Sequence, residues 1–139
     1  MAMIEKLAGY REVEHTADWE LEVWAPDLTG LLEQAARGMY ALCGARLQAG
    51  PRQMRSFTLQ AIDAESLLVS FLSELLYIAE QEGLGFDNYQ LLVEGNSLYA
   101  ELGGAPLASL NKEIKAVTYH NLEIRQSPGR LDIRIVFDV

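Results

Sequence analysis

Trp19-Glu20-Leu21-Glu22-Val23-Trp24-Ala25-Pro26-Asp27-Leu28 is the stretch on which the fold turns. Trp19, Leu21, Val23 and Ala25 alternate with polar partners, which places them on one face of a strand with the glutamates on the other. Pro26 stops that strand, and Asp27 is suited to cap a helix. From Leu28 the apolar spacing changes to Leu31, Leu32, Ala35, Ala36, Met39 and Tyr40. A period of two has become a period of 3.6. One strand followed directly by one amphipathic helix predicts both kinds of element in one layered core.

Upstream, Tyr10 to His15 predicts a strand, joined to the one at Trp19 through Thr16-Ala17-Asp18 as a hairpin connection. Downstream, Gly44 ends the first helix and Ala45 to Gln53 predicts a loop. Ser56 to Ala61 alternates as a third strand. Asp63 caps a second helix whose stripe, Leu67, Leu68, Phe71, Leu72, Leu75, Leu76 and Ala79, is the strongest helical signal in the chain. Gly83 and Gly85 close it. Tyr89 to Val93 and Leu98 to Leu102 predict a hairpin around Gly95-Asn96, followed by a loop at Gly103 to Pro106. Asn111 to Tyr119 reads either as a short helix or as extended chain. Leu122 to Arg125 alternates, and Ser127-Pro128-Gly129 makes a turn. Leu131, Ile133, Ile135, Phe137 and Val139 line one face of the last strand. The expected fold is α+β. It is a single domain over residues 1–139, a two-layer sandwich with a mixed or antiparallel sheet and both amphipathic helices on one face.

Half of the 139 residues are hydrophobic and 22% are charged, the composition of a globular chain with one core. The formal net charge of -9 repels phosphate backbones, so direct nucleic-acid binding by the whole surface is disfavoured. The lone Cys43 excludes an internal disulfide and fits a reducing compartment. No signal-peptide pattern and no run of spanning length appears, so the expected location is the cytoplasm, away from membranes.

Chemistry concentrates at two ends. His15-Thr16-Ala17-Asp18 is a polar tetrad between strands, and Phe137-Asp138-Val139 ends the final strand. If these meet, Asp18, Asp138 and the terminal carboxylate of Val139 form an all-oxygen donor set. That set repels itself unless a hard cation such as Ca²⁺ or Mg²⁺ sits among it. It suits Zn²⁺ poorly. His15 and His120 are then either hydrogen-bonded strand-end residues or donors beside the carboxylates. Lys112 and Lys115 are either exposed charges or contacts for a phosphate or acidic patch. Cys43 reads as an inert buried thiol. No P-loop, GxGxxG, HExxH or Ser/His/Asp order is present. A small metal-dependent hydrolase using His15 or His120 as base, and a chaperone-like module acting through an apolar patch, stand as alternative readings.

Four segments carry a likeness to a known family. They are His15-Thr16-Ala17-Asp18, Leu75-Leu76-Tyr77, Ile114 to His120 with Leu122-Glu123-Ile124, and the closing Val136-Phe137-Asp138-Val139. In these the chain resembles the archease family, collinearly from about Tyr10 to Val139. Trp19 departs from the small or aliphatic residue expected there. The resemblance implies a non-catalytic protein cofactor of the RtcB-type RNA-splicing ligase. Such a cofactor promotes GTP-dependent guanylylation of the ligase and repeated turnover in tRNA splicing, and meets RNA only through the ligase. It also implies a calcium site, or one for another divalent cation such as Mg²⁺ or Mn²⁺, on Asp18, Asp138 and Val139.

Overall fold

The computed structural model describes residues 7–13 and 19–139. Eleven elements follow in order among them: β1 Gly9–Val13, β2 Trp19–Ala25, α1 Leu28–Leu42, β3 Arg46–Leu47, β4 Gln53–Gln60, α2 Ala64–Glu82, β5 Leu84–Glu94, β6 Ser97–Ser109, β7 Ala116–Val117, β8 Arg125–Ser127 and β9 Arg130–Asp138. The α+β expectation holds. Every strand pairing is antiparallel. The strands form two hydrogen-bonded sheets rather than one, because β4, β5 and β6 pair locally while β9 returns to the start of the chain. The first sheet runs β1-β2-β9-β7, with β8 hairpinned onto β9. The second is built on β6, which β3 and β4 flank on one path and β5 pairs separately.

Both helices begin and end as their sequences require. The Asp27 carboxylate accepts from the Gly30 N–H at 2.8 Å, and Asp63 accepts from Ser66 N–H at 2.7 Å. Each satisfies a donor that the first helical turn leaves unpaired. Gly83 ends α2 at φ +68°, in the left-handed region that glycine enters without a Cβ clash. The α2 stripe is core: Leu67, Leu68, Phe71, Leu72 and Leu75 are fully buried. Each such side chain contributes about 1.5–3 kcal/mol on removal from water. Helix α1 packs on β1, β2 and β5, and α2 packs on β4, β5, β6 and β7, so both sheets close on the helix pair. Leu21, Val23, Ile133, Ile135 and Phe137 supply the first sheet's buried face.

Two expectations are corrected, and one left open is decided. The loop at Gly103 to Pro106 is strand: β6 runs unbroken from Ser97 to Ser109. Its glycines serve close approach rather than turning, for a Cβ on Gly104 would land on the Gly85 carbonyl. Within Ala45 to Gln53, a two-residue strand, β3, pairs with β6. Asn111 to Tyr119 is extended, with β7 at its centre, so the β-branched Val117-Thr118 outweighs the helix-forming lysines and glutamate.

Candidate functional site

The last strand ends between two others. On one side Trp19, the first residue of β2, pairs with Phe137. On the other, Ala116 of β7 pairs with Asp138, and the Lys115 N–H donates to the Asp138 carbonyl at 2.8 Å. Thr118 tightens the same junction by donating both its N–H and its hydroxyl to the Val136 carbonyl, at 3.0 and 2.9 Å. The Asp138 side chain is exposed, whereas Phe137 beside it is fully buried. This follows from the period of two: the odd positions of β9 face the helices and the even ones face outward. Val139 is half-buried against the core. Asp18 and His15 lie outside the described residues. Asp18 is bonded to Trp19, however, and Trp19 sits across from the residue preceding Asp138.

A donor set of two aspartates and an α-carboxylate offers only oxygens, which fits a hard divalent cation. Asp138 is available to such an ion, since its carboxylate is exposed and its strand bonds run through the backbone. Among the described residues no group of three His, Cys, Asp or Glu is gathered as metal ligands.

The archease protein family (MTH1598/TM1083) matches residues 10–139. The chain belongs to the archease family. Protein archease of Thermococcus gammatolerans is 32% identical over 139 residues, covering 94% of this chain and 98% of that one. Protein archease of Methanosarcina barkeri is also 32% identical, covering 94% and 95%. Protein 1598 of Methanobacterium thermoautotrophicum superposes with a TM-score of 0.69 at 25% identity, over 94% of this chain and 99% of its own. An archease of Thermotoga maritima, described as a possible chaperone, shares the fold with a TM-score of 0.69 at 23% identity, over 100% and 99%.

In this archease-family chain the remaining candidates fall in different places. Lys112 is exposed, but it is not an idle charge: its Nζ lies 5.2 Å over the Trp19 ring, a cation–π contact. Lys115 is exposed and meets Asp138 through its backbone. His120 is exposed in the turn after β7. Its Nε2 lies 3.3 Å from the Asn121 side-chain nitrogen, so its ring is engaged with Asn121. Cys43 is buried, with its Sγ 3.4 Å from the Tyr40 carbonyl, and burial pushes its thiol above the ordinary range. Its burial is the one the sequence led us to expect.

Two concavities were not legible in the sequence. A polar cleft of about 840 Å³ crosses the outer face of the first sheet, between Glu20, His120, Arg125, Asp132 and Arg134. Alternation placed these strand residues on an outward face, but only the fold hangs the turn at Tyr119–Leu122 over them. A more apolar groove of about 610 Å³ lies between Tyr40 and Cys43 of α1, Leu76 and Tyr77 of α2, and the segment containing Leu110 and Ile114. No helix of the described residues is long and apolar enough to cross a membrane.

Proposed function

We propose that this protein is a non-catalytic cofactor of an RtcB-type RNA-splicing ligase in the cytoplasm. In that role it promotes the ligase's GTP-dependent guanylylation and repeated turnover, and meets RNA only through the ligase. Family membership over residues 10–139 supports the reading. The structural observation that carries it is the junction at the end of β9, where the residue bonded to Asp18 lies across from the one before Asp138. Asp18, Asp138 and the carboxylate of Val139 would hold a divalent cation there, calcium in the first instance. When bound, the cation supplies positive charge beside the nucleotide's phosphates.

The chain's own residues do the rest. Asp138 presents an anionic, solvent-facing tip on a strand whose other face is locked into the core. Lys115 and Thr118 hold that strand end through backbone bonds. The net charge of -9 keeps the tip from competing for RNA directly and favours a cationic pocket on the partner. The test is ligase–GMP formation from ligase, GTP and metal, with the parent protein and with Asp138→Ala. Stimulation by the parent and its loss in the variant is the expected result. Equal stimulation by both proteins would count against the reading.

The chaperone-like alternative has one observation in its favour, the exposed Met54, Leu92 and Tyr99 on the outer face of the second sheet. It predicts suppression of aggregation of an unrelated unfolded protein, unaffected by Asp138→Ala.

A further inference from the structure

In the second sheet β4 lies at an edge. It pairs with β6 in an unbroken register from Gln53↔Gly104 to Gln60↔Ser97, and it packs on β6 and α2. In an antiparallel ladder, residues that bond across it alternate with residues that do not. One step beyond that register, the Ala61 N–H donates to the Asn96 carbonyl at 3.0 Å. The odd residues of β4 therefore bond to β6. The N–H and C=O groups of Met54, Ser56, Thr58 and Gln60 point the other way, and no backbone group of the described residues meets them. The Arg55 guanidinium donates to the Met54 carbonyl at 2.7 Å, which leaves that oxygen a second lone pair.

Edge strands that stay single are commonly guarded by proline, a bulge or lysine. β4 has none of these. Its one charged residue, Arg55, is drawn back to Glu82 of α2 at 2.6 Å. The four residues with outward backbone groups are exposed and uncharged, so in a chain of net charge -9 this edge is a neutral strip.

We infer that β4 is the docking edge for a second copy of this chain, whose own β4 adds antiparallel about a twofold axis at Phe57. Centring on Phe57 puts Ser56 opposite Thr58 and Met54 opposite Gln60, each twice by symmetry. All four outward residues are then used, in four pairs of two hydrogen bonds each. Phe57 faces its own copy in the closer, non-hydrogen-bonded kind of pair, and Arg55 faces Leu59. Self-pairing demands a strand that tolerates its own reverse. This one does: aromatic meets aromatic, hydroxyl meets hydroxyl, and no like charges are opposed. The product is one continuous sheet running β5-β6-β4 and on through the partner copy in reverse order. The inference draws on no residue of the cation site proposed above.

The test uses the full chain over a concentration series. In sedimentation equilibrium the mass should rise from 15.5 kDa toward twice that value. Amide hydrogen exchange at Met54, Ser56, Thr58 and Gln60 should slow with rising concentration, while Phe57 and Leu59, already bonded to β6, change less. Two variants read the register. Ser56→Lys/Thr58→Lys sets like charges opposite each other in every Ser56–Thr58 pair and should raise the dimer Kd about ten-fold. An effect of overall charge predicts the reverse, because this variant is less acidic. Ser56→Lys/Thr58→Glu sets opposite charges in the same pairs and should dimerise at least as tightly as the parent. Circular dichroism melts check that both fold, and the exchange readout on the parent decides the matter if either does not.

A parent that stays at 15.5 kDa up to its solubility limit overturns the inference. So does a dimer whose four outward amides exchange as fast as in the monomer, and so does equal weakening by the two variants.

Discussion

Alanine at Gly104 tests whether the glycine pair of β6 is there for close packing. A Cβ at Gly104 falls 2.8 Å from the Gly85 carbonyl carbon and 2.9 Å from Phe86 Cα. Carbon atoms prefer about 3.5–4.0 Å and the Gly85 carbonyl oxygen lies nearer still, so β5 and β6 must part by at least about 1 Å. That stretch takes hydrogen bonds of about 2.9 Å beyond the distance at which they hold. Losing about two of them costs about 2 kcal/mol, and the residual overpacking about 1–3 kcal/mol more. The expected destabilisation is about 4 kcal/mol. A chain of 139 residues has an unfolding entropy of about 0.29 kcal/mol/K, so Tm should drop by about 14 °C. Gly103→Ala is the control. Its Cβ would meet the Met54 sulfur at 3.1 Å and Asn88 Cβ at 3.4 Å, and Met54 is exposed. A flexible thioether yields, so this change should cost no more than about 1 kcal/mol, or about 3 °C. Circular dichroism melts of both variants against the parent give the answer. A Gly104→Ala midpoint within 3 °C of the control's would refute the close-approach account.

Other outcomes follow from the same structure. Removing the Tyr40 hydroxyl with Tyr40→Phe should leave stability unchanged or raise it by up to about 1 kcal/mol, read by urea unfolding. That hydroxyl is buried with no well-formed hydrogen bond, only a weak approach of the Phe86 backbone, whose carbonyl already accepts from Tyr89 at 2.7 Å. Hydrogen bonds from Ser66 lower the Asp63 carboxyl below its ordinary 3.8, so its helix-capping contribution is present above that pH and lost as pH falls through the folded value. The stability gap between parent and Asp63→Ala should therefore be wider at pH 7 than in strong acid, and an equal gap at both would refute the cap. Ca²⁺ calorimetry should lose its saturable signal both in Asp138→Asn and when residues are appended after Val139; retention in the extended chain would remove the α-carboxylate from the donor set. Cys43, with its thiol pushed up by burial, should react with iodoacetamide at pH 8 far more slowly folded than in urea, and equal rates would show it exposed.

Local signals in this chain were reliable where one segment supplied all the physics. The α2 stripe, the two aspartate caps and the Gly95-Asn96 turn each depend on neighbours within a few positions, and each appears where its residues indicate. They failed where glycine has two uses. Gly103-Gly104 reads as a turn because glycine frees the backbone. In β6 it is used because glycine lacks a side chain, and only the presence of β5 makes that use visible. Trp19 stood out only as larger than the residue expected there, and nothing near it in the chain announces that Lys112 will rest on its ring.

Residue chemistry alone determined that this chain builds an α+β core from two amphipathic helices and alternating strands. Periodicity and capping are short-range, so they survive in one dimension. Which strands become neighbours is decided by burial of their apolar faces against the helices, a property of the whole core. Tertiary structure therefore decided that β2 and β7 flank the end of β9, that there are two sheets, and that Lys112 meets Trp19.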